Sequence, residues 1–431
     1  MKFIEFPTPW EGKRSGQRII ASPPWYIKNL AFHLPPPCVR ILLQMSTETS
    51  SSAPAAPREL ISELERVVPH FNISGSLASS QLYGHGHIHD TFLSTYDQAG
   101  SVTRYIHQRI NRNVFKNPPV LMENIVRVTR HLRAKLESGA AAAGLSAAEI
   151  SRRTLTIIPT HDGAPFHLDP SGDYWRTYIF IDQSATFDTP ISPAMAFEAA
   201  RAFGHFQMLL SDLPAPPLHE TIPLFHDTPS RFRALTGALA RDAAGRAAAV
   251  RDEIAFALQR EPLTHELTDG LASGELPLRV THNDTKLNNV LFDENSGEGI
   301  CVIDLDTVMP GSALYDFGDL VRSGANPAVE DEKNLGKVNV SLPIFKALAN
   351  GYIEATGALI APAERRLLAR SAQVISFEIG LRFLTDHLDG DTYFKIHHPG
   401  HNLDRARVMF RLVQSMEQHQ AEMQAIVDRA G

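Results

Sequence analysis

Thr281-His282-Asn283-Asp284-Thr285-Lys286-Leu287-Asn288-Asn289-Val290-Leu291 is followed downstream by Val302-Ile303-Asp304-Leu305-Asp306. The residues between them, Asp293-Glu294-Asn295-Ser296-Gly297-Glu298-Gly299, are turn formers. The β-branched runs Asn289 to Phe292 and Ile300 to Leu305 are therefore expected to pair as a hairpin. Such a hairpin returns Asp304 to the loop that carries Asp284 and Asn289. Phosphoryl transfer needs a carboxylate beside the attacking hydroxyl, and amide and carboxylate oxygens that hold a divalent cation on the phosphates. In the pattern His-x-Asp-x-x-x-x-Asn, Asp284 is the candidate proton acceptor, and Asn289 and Asp304 are the candidate metal ligands. Taken singly, each motif reads equally well as an Asx-turn or a strand end. A plain hairpin, however, has no need of an apolar strand ending in two carboxylates beside a loop with His, Asp, Lys and two Asn. His282 is expected to fix the loop through hydrogen bonds, and Lys286 either neutralises the transferring phosphate or is solvated.

Upstream, helical spacing over Glu59 to Val68 is followed by Tyr83-Gly84-His85-Gly86-His87-Ile88-His89, a glycine turn between two expected strands. Gly84, His85 and Gly86 suit a loop whose backbone N–H groups approach phosphate oxygens. Arg104 to Ile110 reads as the next strand, about Val120 to Leu136 as a helix, and Thr154 to Ile158 and Tyr174 to Ile181 as two further strands. The strand at Gln108 lacks a lysine for the phosphates. Either Gln108 hydrogen-bonds the nucleotide or another residue, such as Lys116, supplies the charge, and Glu123 reads as a solvated helix residue. Beyond Pro190 the pattern becomes helical over Ala194 to Leu210, Arg231 to Leu258, Ser341 to Thr356, Glu364 to His387 and Leu403 to Val427. The expected architecture is α+β with two lobes: a small antiparallel-sheet lobe over 58–187, then a larger, mainly helical lobe over 188–431.

The 431 residues suffice for two such lobes. With 43% hydrophobic and 21% charged residues the chain is globular, and a net charge of −7 gives no general attraction to nucleic acid or anionic lipid. No stretch approaches the ~20 apolar residues needed to span a bilayer. Two cysteines, Cys38 and Cys301, are too few for a disulfide framework, in keeping with a cytoplasmic protein. Residues 1–57 read as a disordered or mis-annotated extension. Prolines interrupt the first 44 residues, Met45 is a plausible start, and Ser46 to Pro57 is a low-complexity lead-in.

The paired motifs resemble the catalytic and metal-binding loops of the aminoglycoside phosphotransferase and choline kinase superfamily, which implies a protein-kinase-like fold with ATP and Mg2+. Further stretches resemble its N-acetylhexosamine 1-kinase branch. These are Tyr83 to Ile88, Gln108 to Asn111 with Val114 to Pro118, Thr307 to Gly311 with Tyr315-Asp316-Phe317-Gly318-Asp319, Arg382 to Asp386, and Leu388 to Phe394. Glutamine in place of the strand lysine also occurs in that branch, whereas His89 stands where it commonly has asparagine. The resemblance implies phosphorylation of a sugar C1 hydroxyl with Asp284 as base, substrate contacts at Arg382, Tyr393 and His87, and a monomer or weak dimer. Two alternatives stand beside it: a kinase of amino alcohols or aminoglycosides, and a non-catalytic binding protein. The alternative readings are a helix salt bridge to Glu378 for Arg382 and a surface-loop aromatic for Tyr393. Tyr315 to Asp319 is expected to be a helix N-terminal region that supports the loop.

Overall fold

The computed structural model describes residues 58–84 and 88–431. The extension 1–57 and the turn residues His85, Gly86 and His87 lie outside the described residues. Helix α1 (Arg58–Val67) buries Leu64 and Val67, and the chain then reaches Phe71, which joins Phe92, Tyr105 and Trp175 in one apolar cluster. Strands β1 (Ser76–Leu82), β2 (Asp90–Gln98) and β3 (Ser101–Arg109) form an antiparallel meander. Ala99 and Gly100 join β2 to β3, both at positive φ (57° and 95°), the two-residue turn whose twist matches paired strands.

Helix α2 (Pro118–Ala143) begins at an Asn117 cap and ends at Gly144 in the left-handed conformation. It runs past the expected end at Leu136, because the alanine-rich tail favours helix and Gly144 is the residue that stops it. Helix α3 (Ala147–Arg152), not anticipated, is set by a reciprocal capping box between Ser146 and Glu149. The strand expected over 154–158 is instead a single bridge at Ile157 to Tyr178. Ile158 N donates to Thr177 O and Ile179 N to Thr156 O, but Pro159 has no N–H to extend the ladder. The short β4 (His167–Leu168) pairs with β5 (Tyr174–Ile179), completing a sheet of order β1-β2-β3-β5-β4. Its register sets Thr91 opposite Gln108 and Gln108 opposite Arg176, so three polar side chains from three strands share one face.

Strand β6 (Ser184–Ala185) leads out of this sheet into the helical part. There follow α4 (Pro193–Leu210), α5 (Thr228–Arg241), α6 (Arg251–Leu258) and α7 (Thr268–Ser273). The single helix expected over 231–258 is broken at Asp242, whose backbone is left-handed (φ 40°) and whose carboxylate accepts Arg246 N and Ala247 N at 2.8 and 3.0 Å. Strand β7 (Arg279–Thr281) precedes the expected hairpin, β8 (Val290–Asp293) and β9 (Gly299–Val302), to which β6 adds a third strand. Strand β10 (Met309–Gly311) pairs with β7.

Helix α8 (Ala313–Gly324) starts at Ser312, and α9 (Leu342–Thr356) packs on α4. That approach is close enough that a Cβ on Gly204 would lie 2.7 Å from the Ala355 methyl. Helix α10 (Pro362–Leu388) runs through the middle of the helical part and is buried along most of its length. The last expected helix is two, α11 (His401–Gln418) and α12 (Gln420–Arg429), separated at His419. A small antiparallel sheet with one long helix, followed by a larger helical part, is the α+β kinase-like arrangement the sequence led us to expect. Among the described residues no helix is long and apolar enough to cross a membrane.

Candidate active site

The loop after β7 is held by groups far away in sequence. Asp316, in the first turn of α8, accepts His282 N at 2.9 Å and Asn283 N at 2.7 Å, and Gln207 of α4 donates to the same carboxylate. This lets Asn283 hold a left-handed φ of 65°, while its amide donates to Thr281 O and Thr307 O at 3.2 and 2.9 Å. His282 is buried with its ring edge-on to Phe203 and Phe206. Its Nε2–H donates to Ile303 O (2.9 Å) and its Nδ1 accepts from Asp284 N (3.3 Å), so both nitrogens are engaged in bracing the loop.

Asp284 keeps 23% of its side chain exposed, with Lys286 Nζ at 2.9 Å from Oδ1. Burial alone would raise its carboxyl, but the Lys286 ammonium, with Arg322 behind it, outweighs burial and holds the group below the usual range. It is an anion, open on one side. Asn289 donates to Asp284 O at 2.8 Å, and its side-chain carbonyl oxygen has no protein donor among the described residues.

Asp304 follows β9 in the left-handed region (φ 59°, ψ 60°), a conformation aspartate tolerates better than most residues. It opens to solvent, yet desolvation by the surrounding walls, together with the Asp306 and Asp284 carboxylates, pushes its carboxyl up to about 7. Asp306 is its opposite in every respect. It is buried, takes two hydrogen bonds from Arg176 (Nη1 to Oδ1, and Nη2 to Oδ2 at 2.7 Å), and takes a third from His89 Nε2 at 2.8 Å. Burial would raise its carboxyl, but Arg176 and His89 hold it far below the usual range.

Gln108 supports this ion pair: its amide oxygen accepts Arg176 Nε at 2.9 Å and its amide nitrogen donates to Thr91 Oγ1 at 3.2 Å. Both ends of the side chain expected on the nucleotide are therefore bonded within the sheet. The cation beside that strand is Arg176, whereas Lys116 is exposed. His89 belongs to the same network, since its Nδ1 accepts Asn111 N (3.0 Å) and its ring stacks on Phe115. Glu123 is half-exposed, 3.2 Å from His219. Gly84 has a left-handed φ of 75° with open space around it; His85, Gly86 and His87 are not described.

Arg382, on α10, and Tyr393, in the following loop, are brought together. The guanidinium lies 5.9 Å from the Tyr393 ring centroid, 5.6 Å from Phe225 and 5.5 Å from Phe394. The salt bridge to Glu378 does not form, because His226 Nδ1 (2.8 Å) and Thr228 Oγ1 (2.7 Å) take that carboxylate. His226 Nε2 donates in turn to Asn283 O at 2.9 Å, so Glu378 of α10 is tied through His226 to the loop of Asp284. Asp386, one turn beyond Arg382, shapes the aromatic loop by accepting Thr392 N, Tyr393 N and Phe394 N at 2.8 to 2.9 Å. Arg176, His226 and Asp386 were not singled out from the sequence. Only Asp386 carried a local signal, an acidic residue at a helix end followed by a Gly-containing turn.

Residues 80–367 match the model of a phosphotransferase enzyme family. Among solved structures, the chain is similar to an aminoglycoside phosphotransferase from Alicyclobacillus acidocaldarius at 14% identity, with 88% of this chain and 99% of that one covered and a TM-score of 0.51. A spectinomycin phosphotransferase in complex with ADP and spectinomycin aligns at 11% identity over 85% of this chain and 100% of that one, with a TM-score of 0.52. A choline kinase from Cryptosporidium parvum aligns at 14% identity over 86% and 98%, with a TM-score of 0.51. At such identities these likenesses speak to the fold. The family match spans most of the chain and includes Asp284, Asn289 and Asp304, and the chain belongs to the phosphotransferase enzyme family.

Proposed function

We propose that this chain transfers the γ-phosphoryl group of ATP to the anomeric C1 hydroxyl of an N-acetylhexosamine or related hexose, with magnesium as cofactor, giving a sugar 1-phosphate. The observation that carries the reading is Asp284: an ionised carboxylate, open on one side, braced by His282 and Asn289 and paired with Lys286. Such a group orients an acceptor hydroxyl and takes its proton as the new O–P bond forms and the bond to the β-phosphate oxygen breaks. Lys286, paired with Asp284, would supply positive charge to the transferring group.

The donor set fits a divalent, oxygen-seeking cation. The Asn289 carbonyl oxygen has no protein donor, and Asp304 is crowded by two other carboxylates, a repulsion that a bound cation relieves. Asn289 and Asp304 would hold magnesium, which when bound supplies charge to the phosphate oxygens. Asp306 is excluded from that role by Arg176 and His89, so its part is to fix the segment that presents Asp304. For the acceptor, Arg382 and Tyr393 offer forked donors and an aromatic face, which suit a polyhydroxylated ring better than a quaternary or primary amine.

The test is an acceptor panel with Mg-ATP: GlcNAc, GalNAc, glucose, choline and kanamycin. Phosphorylation of a hexose supports the reading. Turnover confined to choline or kanamycin assigns the chain to amino-alcohol or aminoglycoside chemistry, and no magnesium-dependent turnover at all leaves a non-catalytic binding protein.

A further inference from the structure

His397-His398-Pro399-Gly400-His401 ends the loop after α10 and opens α11, and Asp331 comes to it from the loop between α8 and α9. One ligand atom from each of Asp331, His398 and His401 lies within 4.8 Å of the other two. Asp331 Oδ2 is 3.2 Å from His401 Nε2 and 4.0 Å from His398 Nε2, and the two imidazole rings stand 4.6 Å apart between centroids. His401 is buried, while His398 and Asp331 are half-buried. The α8–α9 loop is already seated against α11, since Glu330 Oε2 lies 3.2 Å from Arg405 Nε, one turn beyond His401.

Ligand atoms on a tetrahedral zinc ion, with bonds of about 2.0–2.1 Å, stand about 3.3 Å from one another, and the two separations from Asp331 bracket that value. His398 Nδ1–H donates to Pro399 O at 3.0 Å, which leaves the Nε2 lone pair for a metal; a backbone carbonyl behind the ring is a usual support for a ligating imidazole. His401 Nδ1 accepts His397 N at 3.2 Å, so in the metal-free chain its ring proton is on Nε2, towards Asp331. A metal at Nε2 displaces that proton to Nδ1, and the long bond from His397 is given up to water, to which His397 is exposed. We propose that Asp331, His398 and His401 form a zinc-type metal site that clips the α8–α9 loop to the start of α11. It shares no residue with the loop of Asp284, and the proposed phosphoryl transfer does not enter into it. Two imidazoles and one carboxylate suit zinc, whereas magnesium prefers oxygen ligands throughout. Three protein ligands leave the fourth position to water. Asn402, beside His401, donates to Asp386 Oδ2 and Asp391 Oδ1 at 2.8 and 2.9 Å, and Asp386 also accepts the N–H groups of Thr392, Tyr393 and Phe394. Both ends of the stretch from Phe394 to Asn402 are thus fixed to one carboxylate, and the metal would hold its middle.

The test is a calorimetric Zn2+ titration of the full chain, expressed without a histidine tag and stripped with EDTA, in excess Mg2+ to compete zinc away from Asn289 and Asp304. Wild type is expected to take one Zn2+ per chain with a Kd on the order of 1 μM or tighter, and to melt at a higher temperature with zinc than without. His398→Ala and Asp331→Asn are each expected to weaken that binding by about tenfold or more, while their metal-free melting temperatures stay close to that of wild type. No binding by wild type below about 100 μM overturns the proposal, as does binding that is undiminished in either variant. Cobalt(II) bound to the unaltered chain keeps the test independent of how the variants fold. The strong visible absorption of a four-coordinate ion, without a near-ultraviolet thiolate band, is the expected result; the weak bands of a six-coordinate ion, or a thiolate band that puts the metal on cysteine, overturn the assignment.

Discussion

Arg176 of β5 and Asp306 of the segment after β9 form a buried ion pair with two parallel hydrogen bonds, their side chains 2% and 3% exposed. It joins the antiparallel sheet to the segment that presents Asp304, and Gln108 and His89 complete its hydrogen bonding. A buried pair of this kind gives little stability relative to an apolar pair of the same shape, but leaving either charge alone is costly.

Replacing one member, as in Arg176→Met or Asp306→Leu, is expected to cost about 3–5 kcal/mol of stability, and the double replacement to recover most of it. Urea unfolding of the two single variants and the double variant, read as a double-mutant cycle, checks this. Additive losses would show that the pair is not coupled.

Asp284→Asn keeps the shape of the loop and removes the proton acceptor. The expected result is a fall in kcat of roughly 10²- to 10⁴-fold with little change in the KM for ATP. Steady-state kinetics on wild type and variant, with folding checked by thermal melting, give the answer.

The His226–Glu378 pair behind the loop makes stability depend on pH. Burial lowers the His226 pKa but the Glu378 carboxylate more than compensates, so it stands above its ordinary 6.5; that stabilisation is complete below 6.5 and is lost as pH rises through the raised value. Glu378 is raised by burial and lowered further by His226, and stands below its ordinary 4.5; its contribution is complete above 4.5 and is lost as pH falls through the depressed value. Melting temperatures of wild type and His226→Gln should therefore differ most between pH 4.5 and 6.5 and converge on either side. A pH-independent difference would rule out the ion pair as its source.

Cys301 on β9 is 1% exposed, and burial pushes its thiol up to about 12. In a Cys38→Ser background the native protein is expected to resist alkylation at neutral pH and to be labelled fully once denatured. Rapid labelling of native protein would contradict the packing of β9 described above.

The meeting of Asp284, Asn289 and Asp304 was readable in the sequence because the elements that bring it about are local. Asp284 and Asn289 are five residues apart on one loop, and a turn-forming run between two β-branched segments brings Asp304 back beside them. Arg176 was not readable, because its partner lies 130 positions away and nothing in Tyr174 to Ile179 distinguishes a strand arginine at the surface from one inside an ion pair. The same holds for His226 and Glu378, 152 positions apart. In the fold, the break at Asp242 was missed because the apolar spacing continues across it, while the stop comes from one side chain bonding its own backbone. The strand expected at 154–158 was half present: its sequence is strand-like, but Pro159 and the short β4 leave room for only one bridge.

The central claim is tested most directly by incubating the purified chain with Mg-ATP and an N-acetylhexosamine and identifying the phosphorylated product by 31P NMR, with Asp284→Asn alongside. The account predicts an acid-labile C1 phosphate that requires magnesium and is lost in the variant. Phosphate at another hydroxyl, or equal turnover by Asp284→Asn, would contradict it.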